Sequence, residues 1–123
     1  MRGYLIEPQL VFAQYLQRLL GSAGFEVVGT SREVDGKDIA ACAPVAVFVD
    51  LDFFERGGPN ALCRIRQALP SANVIAYSRS ADPSYAASCY ISGANVIISK
   101  DAGEELLISD VRRALSGDAG AYN

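Results

Sequence analysis

With 123 residues, the chain is long enough to build one hydrophobic core and too short for two. Half of its residues are hydrophobic, a fifth are charged and the net charge is −3, a balance that excludes a disordered or fibrous chain. The acidic balance and the scatter of arginines from Arg2 to Arg113 leave no basic stripe for neutralising phosphates, so direct nucleic-acid binding is not expected.

Along the chain, Tyr4-Leu5-Ile6 reads as a first strand, and Leu10, Phe12, Leu16, Leu19 and Leu20 recur at helical spacing until Gly21 and Gly24 supply a stop. Glu26 to Gly29 reads as a short second strand and Val34 to Cys42 as a weakly patterned polar helix. Val45 to Val49 is an unbroken apolar run, the signature of a central parallel strand buried on both faces. Gly58-Pro59 opens a third helix whose inner side carries Leu62, Ile65, Ala68 and Leu69, and Pro70 ends it. Val74 to Tyr77 is the fourth strand. Asp82-Pro83 caps and starts a fourth helix that runs to Gly93, and Val96 to Ser99 is the fifth strand. Asp101 and Glu104 form a capping pair for a last helix with Leu107, Val111, Ala114 and Leu115 as its buried stripe. This alternation predicts an α/β fold: a doubly wound sheet of five parallel strands with right-handed crossovers and helices on both faces.

Each of four strands ends on a polar residue: Glu7 after the first, Asp50 after the third, Ser78 after the fourth and Lys100 after the fifth. Neighbouring parallel strands bring those ends to one edge, where open α/β sheets bind ligands. The chain has no histidine, which removes Ser-His and Cys-His nucleophile pairs. Cys42, Cys63 and Cys89 are odd in number and far apart, and read as packed free thiols rather than disulfides or zinc ligands. Chemistry here rests on carboxylates, a hydroxyl and an amine. Gly57-Gly58 lacks the later Gly-Lys-Ser/Thr of a phosphate loop. No apolar run is long enough to span a bilayer and no signal-peptide layout opens the chain, so a cytoplasmic address with no membrane contact is expected.

From about Tyr4 to Leu115, these residues resemble the receiver domains of two-component response regulators, a flavodoxin-like fold. The resemblance implies that Asp50 is the phosphoacceptor, that Ser78 and Lys100 hold the phosphoryl oxygens, and that a histidine kinase or phosphotransfer protein is the donor. Gly58 falls where that family has its post-loop glycine. The run from Gly93-Ala94-Asn95 to Lys100-Asp101-Ala102 is similar to receivers that precede helix-turn-helix output domains. Residues 1–116 are then the receiver-like domain and 117–123 a flexible tail.

The chain also departs from the family. Where receivers carry two consecutive acids that hold Mg²⁺ with the phosphoacceptor, it has Glu7-Pro8, so the implied metal residues are Glu7, Asp50 and Asp52, and Mg²⁺ binding is expected to be weak. Asp52, two residues past the phosphoacceptor, lends a backbone carbonyl in such sites. Its carboxylate either restores the lost ligand charge, repels the incoming phosphoryl group or is a plain loop acid. Glu7 has its own plainer reading, an acid interacting with a helix dipole. Ile97 stands where receivers carry a switching Tyr or Phe, and Phe53-Phe54 replaces a small loop; one of those rings is expected in the core. Tyr85 and Tyr90 read as ordinary helix-edge tyrosines.

The resemblance therefore implies an atypical receiver, a signalling module rather than a metabolic enzyme. It implies a homodimer face on helix 4, strand 5 and helix 5, with Arg112 and Arg113 placed to pair there. Two alternatives stand beside it: a phosphorylation-independent interaction or dimerisation module with a pseudo-receiver fold, in which Lys100 simply pairs with Asp50, and a small-molecule or flavin binding domain using the same crevice.

Overall fold

The computed structural model describes residues 1–80, 82–102 and 109–113. Strands and helices alternate: β1 (Arg2–Ile6), α1 (Leu10–Ser22), β2 (Glu26–Ser31), α2 (Gly36–Cys42), β3 (Ala46–Asp50), a 3₁₀ segment (Asp52–Gly57), α3 (Gly58–Ala68), β4 (Asn73–Ser78), α4 (Pro83–Ser92), β5 (Val96–Ser99) and a 3₁₀ turn (Lys100–Ala102). The strands form one sheet in the order β2-β1-β3-β4-β5, and every pairing is parallel. The expected fold class is the one found, a doubly wound flavodoxin-like sheet in a single small domain.

Successive strand residues point to opposite faces, so each central strand feeds two cores. Tyr4, Ile6, Val47, Val49, Val74 and Ala76 pack against Ile39 of α2, Leu62 and Ile65 of α3 and Cys89 of α4. On the other face, Leu5, Phe48, Ile75 and Ile98 pack against Leu16, Leu19 and Leu20 of α1 and against Val111, which lies in the helical residues 109–113. All five residues of β3 are buried, as its unbroken apolar run predicts.

The local signals act where they were expected, with shifts at the ends. Asp35 and Asp82 cap α2 and α4 by accepting the N–H of Asp38 at 3.1 Å and of Ser84 at 2.9 Å. Gly93, at φ 131°, turns the chain out of α4 through a conformation that other residues rarely adopt. The second strand runs on to Ser31, and Val45 stays outside β3 and half exposed. Leu10 and Val11 at the start of α1 are strongly exposed, so the buried stripe of that helix begins at Ala13. Phe54 packs against the core while Phe53 is exposed, as one-ring burial requires. All three cysteines are free, but Cys63 is exposed rather than packed. Glu104, Leu107, Ala114, Leu115 and the tail 117–123 lie outside the described residues.

Arg66 ties two loops to the end of α3. Its guanidinium donates to the carbonyls of Leu69 at 3.2 Å, Ala72 at 2.7 Å and Gly93 at 2.7 Å, and to Asn95 Oδ1 at 2.7 Å. Asn95 Oδ1 in turn accepts the Val74 N–H at 2.8 Å, which fixes the start of β4. Among the described residues no helix is long and apolar enough to cross a membrane.

Candidate functional site

The strand order reverses direction between β1 and β3, which opens a crevice at their carboxyl ends. Glu7 follows β1, Asp50 closes β3, Ser78 closes β4 and Lys100 follows β5, so the sheet itself brings the four strand-end residues to one edge. Three of them, Glu7, Asp50 and Ser78, are at most 4% exposed. Burial of polar groups in this density needs partners.

Lys100 partners Asp50. Its ammonium lies 2.7 Å from Asp50 Oδ1 and 3.0 Å from Asp52 Oδ2. It also stands over two rings, 5.4 Å from the centroid of Tyr77 and 5.9 Å from that of Phe12, which shield it from water and attract its charge. Burial alone pushes the ammonium pKa down; the bonds to Asp50 and Asp52 outweigh it, and the net shift is up, so Lys100 is charged.

Asp52 is drawn into the site rather than left in the loop. Its Oδ1 accepts the Ser78 hydroxyl at 2.9 Å, and its two oxygens accept the Arg79 N–H at 3.2 and 3.1 Å. Partial burial pushes its carboxyl up, but the donors from Lys100, Ser78 and Arg79 prevail and hold it below the usual range. The Asp52 N–H donates to Asp50 Oδ1 at 3.0 Å, which fixes the Asp50 carboxylate at the start of the loop.

Glu7 is the odd member. Neither of its oxygens has a hydrogen-bond partner among the described residues. Burial, reinforced by the Asp50 carboxylate beside it and opposed by Lys100, pushes its pKa up to about 8. The buried Tyr77 hydroxyl is likewise unpartnered, and burial followed by the nearby charges of Glu7, Asp50 and Asp52 raises its pKa. An orphaned buried carboxyl adjacent to a second carboxylate fits a hard cation: Mg²⁺ takes one or two carboxylates and completes its shell with water and phosphate oxygens. Glu7 and Asp50 would hold it. Pro8 offers no side-chain oxygen, and the Asp52 carboxylate is committed to Ser78, Arg79 and Lys100.

The loop beyond Asp52 is braced from α4. The Tyr85 hydroxyl donates to the Glu55 carbonyl at 3.2 Å, and Glu55 is held at φ 52°, ψ −117°, a strained conformation for a residue with a side chain. A Cβ at Gly58 would overlap the Tyr85 hydroxyl, so a larger residue there would displace this brace. Tyr90 reaches the edge strand, where its hydroxyl accepts the Ile97 N–H at 3.3 Å. Both tyrosines thus do more than the ordinary helix-edge reading allowed. At the end of the sheet, Arg112 donates to the Ser22 carbonyl at 3.4 Å and Arg113 pairs with Asp110 at 4.0 Å, so both arginines have partners within the chain.

Every residue singled out from the sequence, Glu7, Asp50, Asp52, Ser78 and Lys100, therefore meets at one edge. What the sequence did not disclose is the ring pair under Lys100, since Phe12 and Tyr77 read there as plain core residues, and the Arg79 N–H, whose role belongs to the backbone.

The model of the response regulator receiver domain matches residues 4–112. In three dimensions the chain is similar to a two-component response regulator of the LuxR family from Aurantimonas sp., with TM-score 0.79 and 21% identity over 94% of this chain and 85% of that one. It is similar to a DNA-binding response regulator of the LuxR family from Staphylococcus aureus, with TM-score 0.76 and 20% identity over 92% and 97% of the two chains. The isolated REC domain of RcsB from Salmonella enterica serovar Typhimurium, in the presence of phosphomimetic beryllium fluoride, gives TM-score 0.80 and 14% identity over 95% and 89%. At these identities the likeness is one of fold. No curated protein matches the chain.

Proposed function

The chain belongs to the response regulator receiver domain family of two-component signalling, and from that premise we propose that it is a phosphoryl-accepting switch whose acceptor is Asp50. The observation that carries this reading is the convergence of a buried carboxylate with an ammonium at 2.7 Å, in the crevice where the strand order reverses. In the reaction, an Asp50 oxygen forms a new O–P bond while the P–N bond of a phosphohistidine donor breaks, its electron pair staying on the imidazole. The donor is a histidine kinase or phosphotransfer protein. Ser78 and Lys100 then hold the oxygens of the aspartyl phosphate by hydrogen bonding and charge. Mg²⁺, held by Glu7 and Asp50, would neutralise charge on the transferring group. With a proline in place of the second acid, the site binds Mg²⁺ weakly.

The doubly paired Lys100 favours a second reading, a phosphorylation-independent interaction module in which Lys100 already neutralises Asp50 and Asp52. A dimer face on α4, β5 and the last helix belongs to either reading, and α4 carries one large apolar side chain in solvent, Ile91, 87% exposed. Isolated charge pairs at such a face contribute only about 0.2–1 kcal/mol.

The test is incubation with phosphoramidate, a small donor with the same P–N bond, in the presence of Mg²⁺, followed by intact-mass spectrometry of the wild type and Asp50→Asn. One phosphoryl adduct on the wild type alone is the expected outcome. No adduct on the wild type, with a stable dimer in solution, moves the assignment to the interaction module.

A further inference from the structure

Three donors in this site point at one volume. The Ser78 hydroxyl is fixed by burial at the end of β4, the Arg79 N–H follows it in the chain, and the Lys100 ammonium is held over Tyr77 and Phe12. A hydroxyl, a backbone N–H and an ammonium converging beside a nucleophilic carboxylate form a cradle for an oxyanion. A carboxylate already fills it: Asp52 takes all three, with Oδ1 2.9 Å from Ser78 Oγ, both oxygens within 3.2 Å of the Arg79 nitrogen, and Oδ2 3.0 Å from Lys100 Nζ.

Resting on the reading of Asp50 as phosphoacceptor, we infer that Asp52 is an internal occupant of the oxyanion cradle: it stands where the phosphoryl oxygens would be held, and must leave before an external phosphoryl group is. Asp52 is tethered beside the cradle, because its own N–H donates to Asp50 Oδ1 at 3.0 Å. An occupant attached to the site competes at a high effective concentration. Its side chain is 32% exposed, so rotation toward solvent clears the cradle without moving the strand ends. If it stayed, the phosphoryl group would bring a further anion to an ammonium that Asp50 and Asp52 already share. Ser78, buried at a strand end, is satisfied by donating to Asp52 and by accepting the Ser80 N–H at 3.0 Å.

The test titrates inorganic phosphate into the wild type, Asp52→Ala and Asp52→Asn, reading the Arg79 amide resonance by NMR, while a parallel arm measures phosphoryl incorporation from acetyl phosphate. Removing the occupant is expected to tighten phosphate binding at Arg79 by about tenfold or more. Asp52→Asn, which keeps an acceptor oxygen but loses the charge, is expected to fall between, and it carries the comparison should the alanine variant fold poorly. Equal phosphate response in all three proteins, or none in any, overturns the inference. If the phosphate affinities separate but no protein gains an adduct on Asp50, the cradle assignment stands and the phosphoacceptor reading falls. If all three gain the adduct at one rate with equal phosphate affinities, the reverse holds.

Discussion

Glu7 and Lys100 are the two residues whose environments decide how the crevice behaves. Glu7 has a raised pKa because burial strips its charge of water and Asp50 lies beside it, and these outweigh the opposing pull of Lys100 and of the Gln9 backbone. In the unfolded chain it titrates near its ordinary value of 4.5, and in the folded protein near about 8. Between those values the folded state binds the extra proton, so the contribution of Glu7 is fully present below the lower value and is lost as pH rises through the upper one. Lys100 is shifted up and Asp52 down, so their contributions change at higher and lower pH and leave this window to Glu7. Glu7→Gln is therefore predicted to flatten the fall in stability between mildly acidic and mildly alkaline pH, and to stabilise the metal-free protein by about 1–3 kcal/mol on the alkaline side. Urea unfolding of both proteins at each pH, without divalent cations, checks this; parallel pH profiles contradict it. The sequence placed Glu7 at the strand end but carried no signal of its orphaned state, because that depends on Pro8 and on Lys100 turning to the other two acids.

At the scale of elements, the strand ends were legible and the loops were not. Four of the five strands are apolar runs that stop at a polar residue, and that punctuation alone put Asp50, Ser78 and Lys100 on one edge. The 3₁₀ segment Asp52–Gly57 carries no such periodicity, so the inward turn of Asp52 and the brace from Tyr85 to the Glu55 carbonyl had no sequence counterpart. In place of a switching aromatic at Ile97, two tyrosines of α4 contact the loop and the edge strand. Arg66 is a comparable case: it reads as a polar position on an amphipathic helix, yet it joins the α3–β4 and α4–β5 connections through carbonyls of Leu69, Ala72 and Gly93. Arg66→Ala leaves those carbonyls and Asn95 without the guanidinium and is predicted to cost about 1–3 kcal/mol. A denaturant midpoint shifted by that amount supports the assignment; a change within about 0.5 kcal/mol, the range of an ordinary surface substitution, contradicts it.

For the whole molecule, alternation of elements and right-handed crossovers leave little freedom once five strands and their helices are recognised. The two cores follow from strand residues alternating between faces, and the crevice follows from the reversal of strand order between β1 and β3. The site then inherits its acids, hydroxyl and amine from where the strands stop. Family membership fixes the class of signalling module, while on the proposed reading the chemistry of this member turns on Pro8, which offers no side-chain oxygen beside Glu7, and on Asp52, which occupies the donors.

The most direct measurement is the intact mass of the wild type after incubation with acetyl phosphate and Mg²⁺, beside Asp50→Asn and Pro8→Asp. A single Mg²⁺-dependent phosphoryl adduct on the wild type, absent from Asp50→Asn and formed faster or at lower Mg²⁺ by Pro8→Asp, is the predicted result. A wild type that stays unmodified while Pro8→Asp accepts the group would contradict the account, and would make this chain a receiver that signals without phosphorylation.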